Sequence, residues 1–223
     1  MRNTATPEDI SGIIESMVKD VGYGPEKLDY VVGSGGGPIN LRAQQTPSEV
    51  VEFMQDVLTI LGDERELALE VGLGQGGNHL ILREYFRQVV TVELLQANVE
   101  AFLLGLSKSR RKGSTVVWGN SGNQLTKVVV GRTLGKRKAD LLFVDGEHRL
   151  ETCELDWLNY EPFVRIGGIV AFHDTRGIAG PDVFVQMLET GSHQLLAEPL
   201  KVKRIENSSL GISYYVKEIE IVR

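Results

Sequence analysis

The sequence predicts an α/β fold: a mostly parallel sheet with helices on both faces and one antiparallel hairpin at its C-terminal end. Three observations carry this. Short runs rich in Val, Leu, Ile and aromatic residues alternate five times with segments of helical period, the pattern of βα units and a parallel sheet. The alternation stops after PDVFVQMLE, where HQLLAEPLKV and LGISYYVKEIEIV are two strand-like runs joined through ENSS with no room for a helix, so they must run antiparallel. At 223 residues, 42% hydrophobic and 24% charged, the composition is that of an ordinary globular domain with a core of its own.

Taken in order, the chain first predicts a helix from Thr6, with Pro7 at its first position and Glu8 and Asp9 where the macrodipole favours acids. Its apolar stripe (Ile10, Ile13, Ile14, Met17, Val18) must be buried on the main domain or on a second copy, in a homodimer. The glycine-rich stretch around Gly33 to Pro38 then reads as a linker or lid loop, which divides the chain into residues 1–43 and a catalytic domain over residues 44–223. A second helix opens at Thr46-Pro47-Ser48-Glu49, a capping box in which Glu49 reaches back to the cap. The five units follow: LALEV with GNHLILREYF, VVTVE with LQANVEAFLLGL, TVVWG with NQLTKVVVGRTL, DLLFVD with LETCELDWLNYEPFV, and GGIVAFHD with PDVFVQMLE.

Chemistry concentrates at the carboxyl ends of these strands, which share one edge in a parallel sheet and flank the crevice where ligands bind. The first strand ends at Glu70, and Gly72, Gly74, Gly76 and Gly77 form the turn into the next helix, where missing Cβ atoms let a ligand approach the backbone. The second strand ends at Glu93, placed to accept hydrogen bonds from two ribose hydroxyls. GLGQGG fits both the G-x-G-x-G of S-adenosylmethionine sites and the G-x-G-x-x-G of dinucleotide sites. Glu70 favours the former, since an acid there repels a pyrophosphate but can hold a cationic amino-acid end through water or backbone. So does the terminal hairpin, in which methyltransferase sheets characteristically end. Asn120 and Ser121, after the third strand, lie within reach of an adenine ring or form a turn capping the next helix. Asp145 and His148 follow the fourth strand, and His173 and Asp174 end the fifth. Their convergence suits a hard divalent cation such as Mg2+, with His173 the weaker ligand of the set.

Charge and cysteine usage exclude other classes. The balance of 24 basic and 30 acidic residues, net −6, provides no global field for phosphate backbones. The basic runs KSRRK (108–112) and GKRK (135–138) precede strands and so fall on the edge opposite the cofactor, which argues against a nucleic-acid acceptor. The lone Cys153 rules out an internal disulfide and fits the cytoplasm, and no apolar run is long enough for a membrane span.

The acid-plus-glycine turn at Glu70 to Gly76, the D-G-x-H at Asp145 to His148 and the G-G-x-x-x-x-H-D ending at Asp174 together resemble class I S-adenosylmethionine-dependent methyltransferases. The branch is that of cephalosporin-hydroxylase-like proteins and macrolide-sugar O-methyltransferases, and the likeness spans about Gln44 to Val216. The resemblance implies a Rossmann-like seven-stranded sheet with a reversed final strand, a methyl donor at the first two strand ends, and often Mg2+ after strands four and five. Carried over, Asp145 and Asp174, with His173 beside them, become metal candidates and His148 the candidate base. Asn120 stands where an Asp commonly faces adenine, and His173 where metal-dependent relatives often have a second acid. The expected reaction is metal-assisted methylation of a hydroxyl on a small molecule such as a sugar, phenol or natural product. An RNA methyltransferase, an NAD-dependent oxidoreductase and a non-catalytic nucleoside-binding module are the rivals.

Overall fold

The structure, a computed structural model, describes residues 28–33, 38–43, 45–106, 111–207 and 210–221. The helix expected from Thr6 lies outside them.

Helix α1 (Pro47–Leu61) starts as the capping box requires: the Thr46 backbone N–H donates to Glu49 Oε1 at 2.7 Å, and Pro47 occupies the first turn, where its missing N–H costs nothing. The βα units then follow in register with the sequence pattern. They are β3 (Leu67–Val71), α2 (Gly77–Tyr85), β4 (Gln88–Glu93), α3 (Gln96–Gly105), β5 (Ser114–Trp118), α4 (Gln124–Leu134), β6 (Ala139–Val144), α5 (Leu150–Tyr160), β7 (Val164–His173) and α6 (Ala179–Thr190). Strands β8 (Lys203–Ile205) and β9 (Ile212–Val216) complete a seven-stranded sheet of order β5-β4-β3-β6-β7-β9-β8. Pairs among β3 to β7 are parallel, and β9 runs antiparallel to both β7 and β8.

The two-residue period of the strands sorts the core into two layers. Ala68, Leu141, Phe143, Ile169 and Ala171 face Phe53, Val57, Ile81 and Phe102 from α1, α2 and α3. Leu67, Leu69, Leu142, Val144 and Val170 face Val130, Trp157, Phe184 and Leu188 from α4, α5 and α6. A side chain such as Phe143, 1% exposed, contributes about 1.5–3 kcal/mol by this burial. The same parity carries past the strand ends. Asp145 and His173 continue the rows of Phe143 and Ala171, so they emerge on the α1 face.

Two features differ from the sequence reading. Residues Leu28–Gly33 (β1) and Pro38–Ala43 (β2), within the stretch read as linker, pair as an antiparallel ribbon that lies against α2 and α3. The expected strand over residues 193–202 is irregular instead, and β8 starts at Lys203. Its apolar residues Leu195, Leu196, Leu200 and Val202 pack on the α5/α6 layer, and buried His193 is fixed by Glu154 Oε1 at 3.0 Å and edge-on contacts with Trp157 and Phe184. The run serves as a core cover, and Pro199 within it removes a ladder donor. Among the described residues no helix is long and apolar enough to cross a membrane.

Candidate active site at the carboxyl edge of the sheet

An open cavity of about 670 Å³ runs along the carboxyl ends of β3, β4, β5 and β6. Its floor is the turn after β3. Gly72 adopts φ +91°, and a Cβ there would lie 1.9 Å from the Asp145 carbonyl oxygen, so only glycine lets the two turns meet. Gly74 lines the cavity, whereas Gly76, the N-cap of α2, packs beneath on the Phe102 ring.

Glu93 locks this turn. Its Oε2 accepts from the Leu73 and Gly74 N–H groups, both at 3.0 Å, and its Oε1 from Leu95 N–H at 2.7 Å, while the residue still lines the cavity. Glu70 is placed differently from the sequence reading. It shares the parity of Ala68, so its carboxyl points into the α2 layer, is fully buried and does not line the cavity. Asn78 Nδ2 donates to Oε1 at 2.8 Å and Thr91 Oγ1 to Oε2 at 2.5 Å. Burial pushes this carboxyl up to about 8 and pushes the neighbouring His79 imidazole down to about 3. Glu70 therefore braces the turn from below.

At the far end of the cavity, Asn120 and Ser121 line the wall after β5. Asn120 Oδ1 accepts from Gly122 N–H at 2.8 Å, and the Ser121 carbonyl accepts from Tyr160 Oη and Asn159 Nδ2 at 2.8 and 3.1 Å, so the turn reading holds for both residues and leaves their cavity-facing surface in place. The helix cap itself is Asn123, whose Oδ1 accepts from Leu125 N–H at 2.8 Å. Asp156 of α5 joins the site although its sequence position marks no strand end. It lines the same wall, is 2% exposed, and burial pushes its carboxyl up to about 6. The available signal was an acid set among Cys153, Trp157 and Tyr160 on the apolar stripe of α5.

The acid–histidine cluster forms at the other end. His148 Nε2 stands 2.8 Å from Asp174 Oδ2 and 3.9 Å from Asp145 Oδ1. His148 is 42% exposed in its side chain, while the Asp174 side chain is buried. A Cβ on Gly180 would lie 2.0 Å from the His148 carbonyl oxygen, so the start of α6 closes directly on the His148 loop and fixes it. Asp174 has φ +57°, the only positive value among described non-glycine residues, a strained conformation that turns its carboxylate back over the strand end. Thr175 holds it there through Ser213 Oγ at 2.7 Å.

His173 sits at the centre of the cluster, with both ring nitrogens engaged. Nδ1 lies 3.3 Å from Asp145 Oδ1 and from Asp174 Oδ2, and Nε2 lies 3.2 Å from Glu49 Oε1. Burial works to lower its pKa, but the facing carboxylates, Asp145 foremost, outweigh it and raise the value well above the ordinary one. Burial likewise works to raise the Asp145 carboxyl, and the two histidines hold it well below the usual carboxylate range. The Asp145 and Asp174 carboxylates raise the His148 pKa. Among the described residues the atoms able to share a metal ion are those of Asp145, His148 and Asp174, all within 4.8 Å of one another. This differs from the sequence reading: His148 takes the place given to His173, whose nitrogens are spent on Glu49 and the aspartates. Glu49, within the first turn of α1, and Gln45, before it, complete the cluster. Glu49 is visible in sequence only as a capping residue, and Gln45, which donates from Nε2 to Asp145 Oδ2 at 2.6 Å, carries no local signal at all.

The strand-end cavity thus has a carboxylate-locked glycine turn at one side and a histidine flanked by acids at the other. Residues 69–175, just under half of the chain, match the profile of a family described as a methyltransferase domain. No curated protein matches the sequence. Among solved structures the chain is similar to an O-methyltransferase from Bacillus cereus in complex with SAH, at 12% identity and TM-score 0.56, over 97% of this chain and 92% of that one. It is similar to an rRNA methylase from Streptococcus thermophilus at 11% identity and TM-score 0.56, over 76% and 96% of the two chains. It also resembles MycE, from the mycinamycin biosynthetic pathway, in complex with Mg and SAH, at 14% identity and TM-score 0.52, over 75% of this chain and 49% of that one. At these identities the likeness concerns the fold.

Proposed function

We propose that the enzyme transfers the methyl group of S-adenosylmethionine to a hydroxyl of a small molecule, with His148 as proton acceptor. The observation that carries this reading is the 2.8 Å contact of His148 Nε2 with the buried Asp174 carboxylate at the edge of the cavity. In the neutral ring that contact fixes the proton on Nε2 and leaves Nδ1, which makes no hydrogen bond among the described residues, as the basic nitrogen. Glu93 positions the ribose, Asn120 and Asp156 bound the adenine, and Gly72 and Gly74 lie under the sulfonium end. A sulfonium methyl is already activated, so the protein's main tasks are in-line alignment of the acceptor oxygen and removal of its proton. His173, held between Glu49 and the two aspartates, keeps Asp145 and Asp174 in place.

The Asp145 and Asp174 carboxylates fit a divalent cation and would hold it, with His148 left outside the donor set as the base. Bound there, such an ion lowers the pKa of the acceptor hydroxyl. A nucleic-acid acceptor is disfavoured by the placement of the basic residues. Arg137 and Lys138 precede β6 at the opposite edge and are spent on Leu134 and Pro162 carbonyls.

The test is mass-spectrometric screening of hydroxylated metabolites with S-adenosylmethionine, before and after chelation. Methylated product that disappears in His148→Ala supports the reading. Methylation of RNA alone would overturn it, and undiminished turnover after chelation would remove the metal.

A further inference from the structure

A second, smaller cavity of about 40 Å³ adjoins the first at the glycine turn, and the two share Gly72, Gly74 and Asp145. An elongated ligand in the large cavity would pass these residues to reach the small one. Gln45 forms part of its wall and is 3% exposed. Its Nε2 donates to Asp145 Oδ2 at 2.6 Å, which fixes which end of the amide carries the oxygen. That oxygen, Oε1, is buried and has no hydrogen-bond partner among the described residues. A buried carbonyl left in this state is unfavourable by an amount comparable to a lost hydrogen bond, which a donor seated in the small cavity would relieve.

The chemistry of that donor follows from its neighbours. The free atom is an acceptor, so it cannot hold a carboxylate. The Asp145 carboxylate stands beside it, 2.6 Å from the same amide, which favours a cation. A volume of about 40 Å³ accommodates a group about the size of one water molecule. A methyl donor whose nucleoside half fills the large cavity has one group of that size and charge at its other end.

We propose that Gln45 Oε1 accepts a hydrogen bond from the α-ammonium group of the methyl donor, making the residue before α1 a specificity determinant for the donor's amino-acid end. This rests on placing the donor along the strand-end cavity. Because Asp145 clamps Gln45, the acid cluster at the acceptor end and the recognition of the donor tail share one carboxylate. Donor binding and organisation of the acceptor site are thereby coupled.

The experiment is calorimetric titration of wild type and Gln45→Met with three ligands. These are S-adenosylhomocysteine, its analogue with the α-amino group replaced by hydrogen, and 5′-methylthioadenosine, which lacks the amino-acid end. Wild type should lose about 10- to 100-fold in affinity on deamination of the ligand, the range for a hydrogen bond to a charged group. In Gln45→Met that penalty should shrink to about two-fold or less, with methylthioadenosine affinity unchanged within about two-fold. Gln45→Asn, which keeps the amide but falls one methylene short, serves in place of the methionine variant where the latter does not fold. A deamination penalty equal in wild type and variant, as a bound water on Oε1 would give, or no penalty in wild type, overturns the proposal. Failure of wild type to bind any of the three ligands would instead overturn the placement of the donor itself.

Discussion

Replacing Glu49 by glutamine should destabilise the fold far more than its conservative appearance implies. The Glu49 carboxylate is fully buried and faces three donors: Thr46 N–H at 2.7 Å and His173 Nε2 at 3.2 Å on Oε1, and Gly211 N–H at 3.1 Å on Oε2. A glutamine has one acceptor oxygen. With that oxygen in the Oε1 position, its NH2 meets the Gly211 N–H; with the amide flipped, it meets Thr46 and His173 together. Either way at least one buried donor loses its acceptor, and the others lose a charged one. At about 1.5–3 kcal/mol for a hydrogen bond to a charged group, the expected loss is about 2–4 kcal/mol. For a chain of this size that corresponds to a fall of about 5–15 °C in Tm. Urea denaturation followed by circular dichroism reads the first quantity and thermal melting the second. A change below about 0.5 kcal/mol would refute the reasoning, because it would mean that Glu49 is not the shared acceptor of α1, β7 and the β8–β9 turn.

Three further outcomes follow from the site. Gly72→Ala places a Cβ 1.9 Å from the Asp145 carbonyl oxygen at φ +91°, so it should destabilise by about 3 kcal/mol or more, read as loss of soluble protein or a lowered urea midpoint. Glu70 has a folded-state pKa raised to about 8, so the folded state binds the extra proton and stability falls as pH rises from about 4.5 towards 8; Glu70→Gln should flatten that slope in urea titrations across the interval. His148, with a raised pKa, should give a kcat/KM that climbs with pH through an inflection above 6.5, and Asp174→Asn, which removes one of the carboxylates raising it, should move the inflection down; an unmoved inflection would exclude His148 as the base.

The parallel sheet, its antiparallel end and the gathering of Glu93, Asp145, His148, His173 and Asp174 at one edge were legible because they depend on local period and on the rule that parallel strands share their carboxyl edge. What escaped depends on contacts far apart in sequence. Glu49 reads as a cap because Thr46 is three residues away, whereas His173 is 124 residues away. Gln45 and Asp145 are 100 residues apart. The position of Glu70 before the glycines points to the ligand. The parity of β3, which sends Ala68 and Glu70 into the α2 layer, turns it inward. The apolar residues of 193–202 matched a strand by composition, yet nothing local could show that they cover Trp157 and Phe184 instead.

Titration of S-adenosylhomocysteine into wild type and Glu93→Ala asks whether the strand-end cavity is the donor site. Wild type should bind one equivalent and show no binding of NAD. Glu93→Ala should lose at least about ten-fold in affinity, since Glu93 both lines the cavity and fixes the Leu73–Gly74 turn through two backbone N–H groups at 3.0 Å. Equal affinity in the two proteins, or binding of NAD in place of S-adenosylhomocysteine, would contradict the assignment of the cavity to the methyl donor.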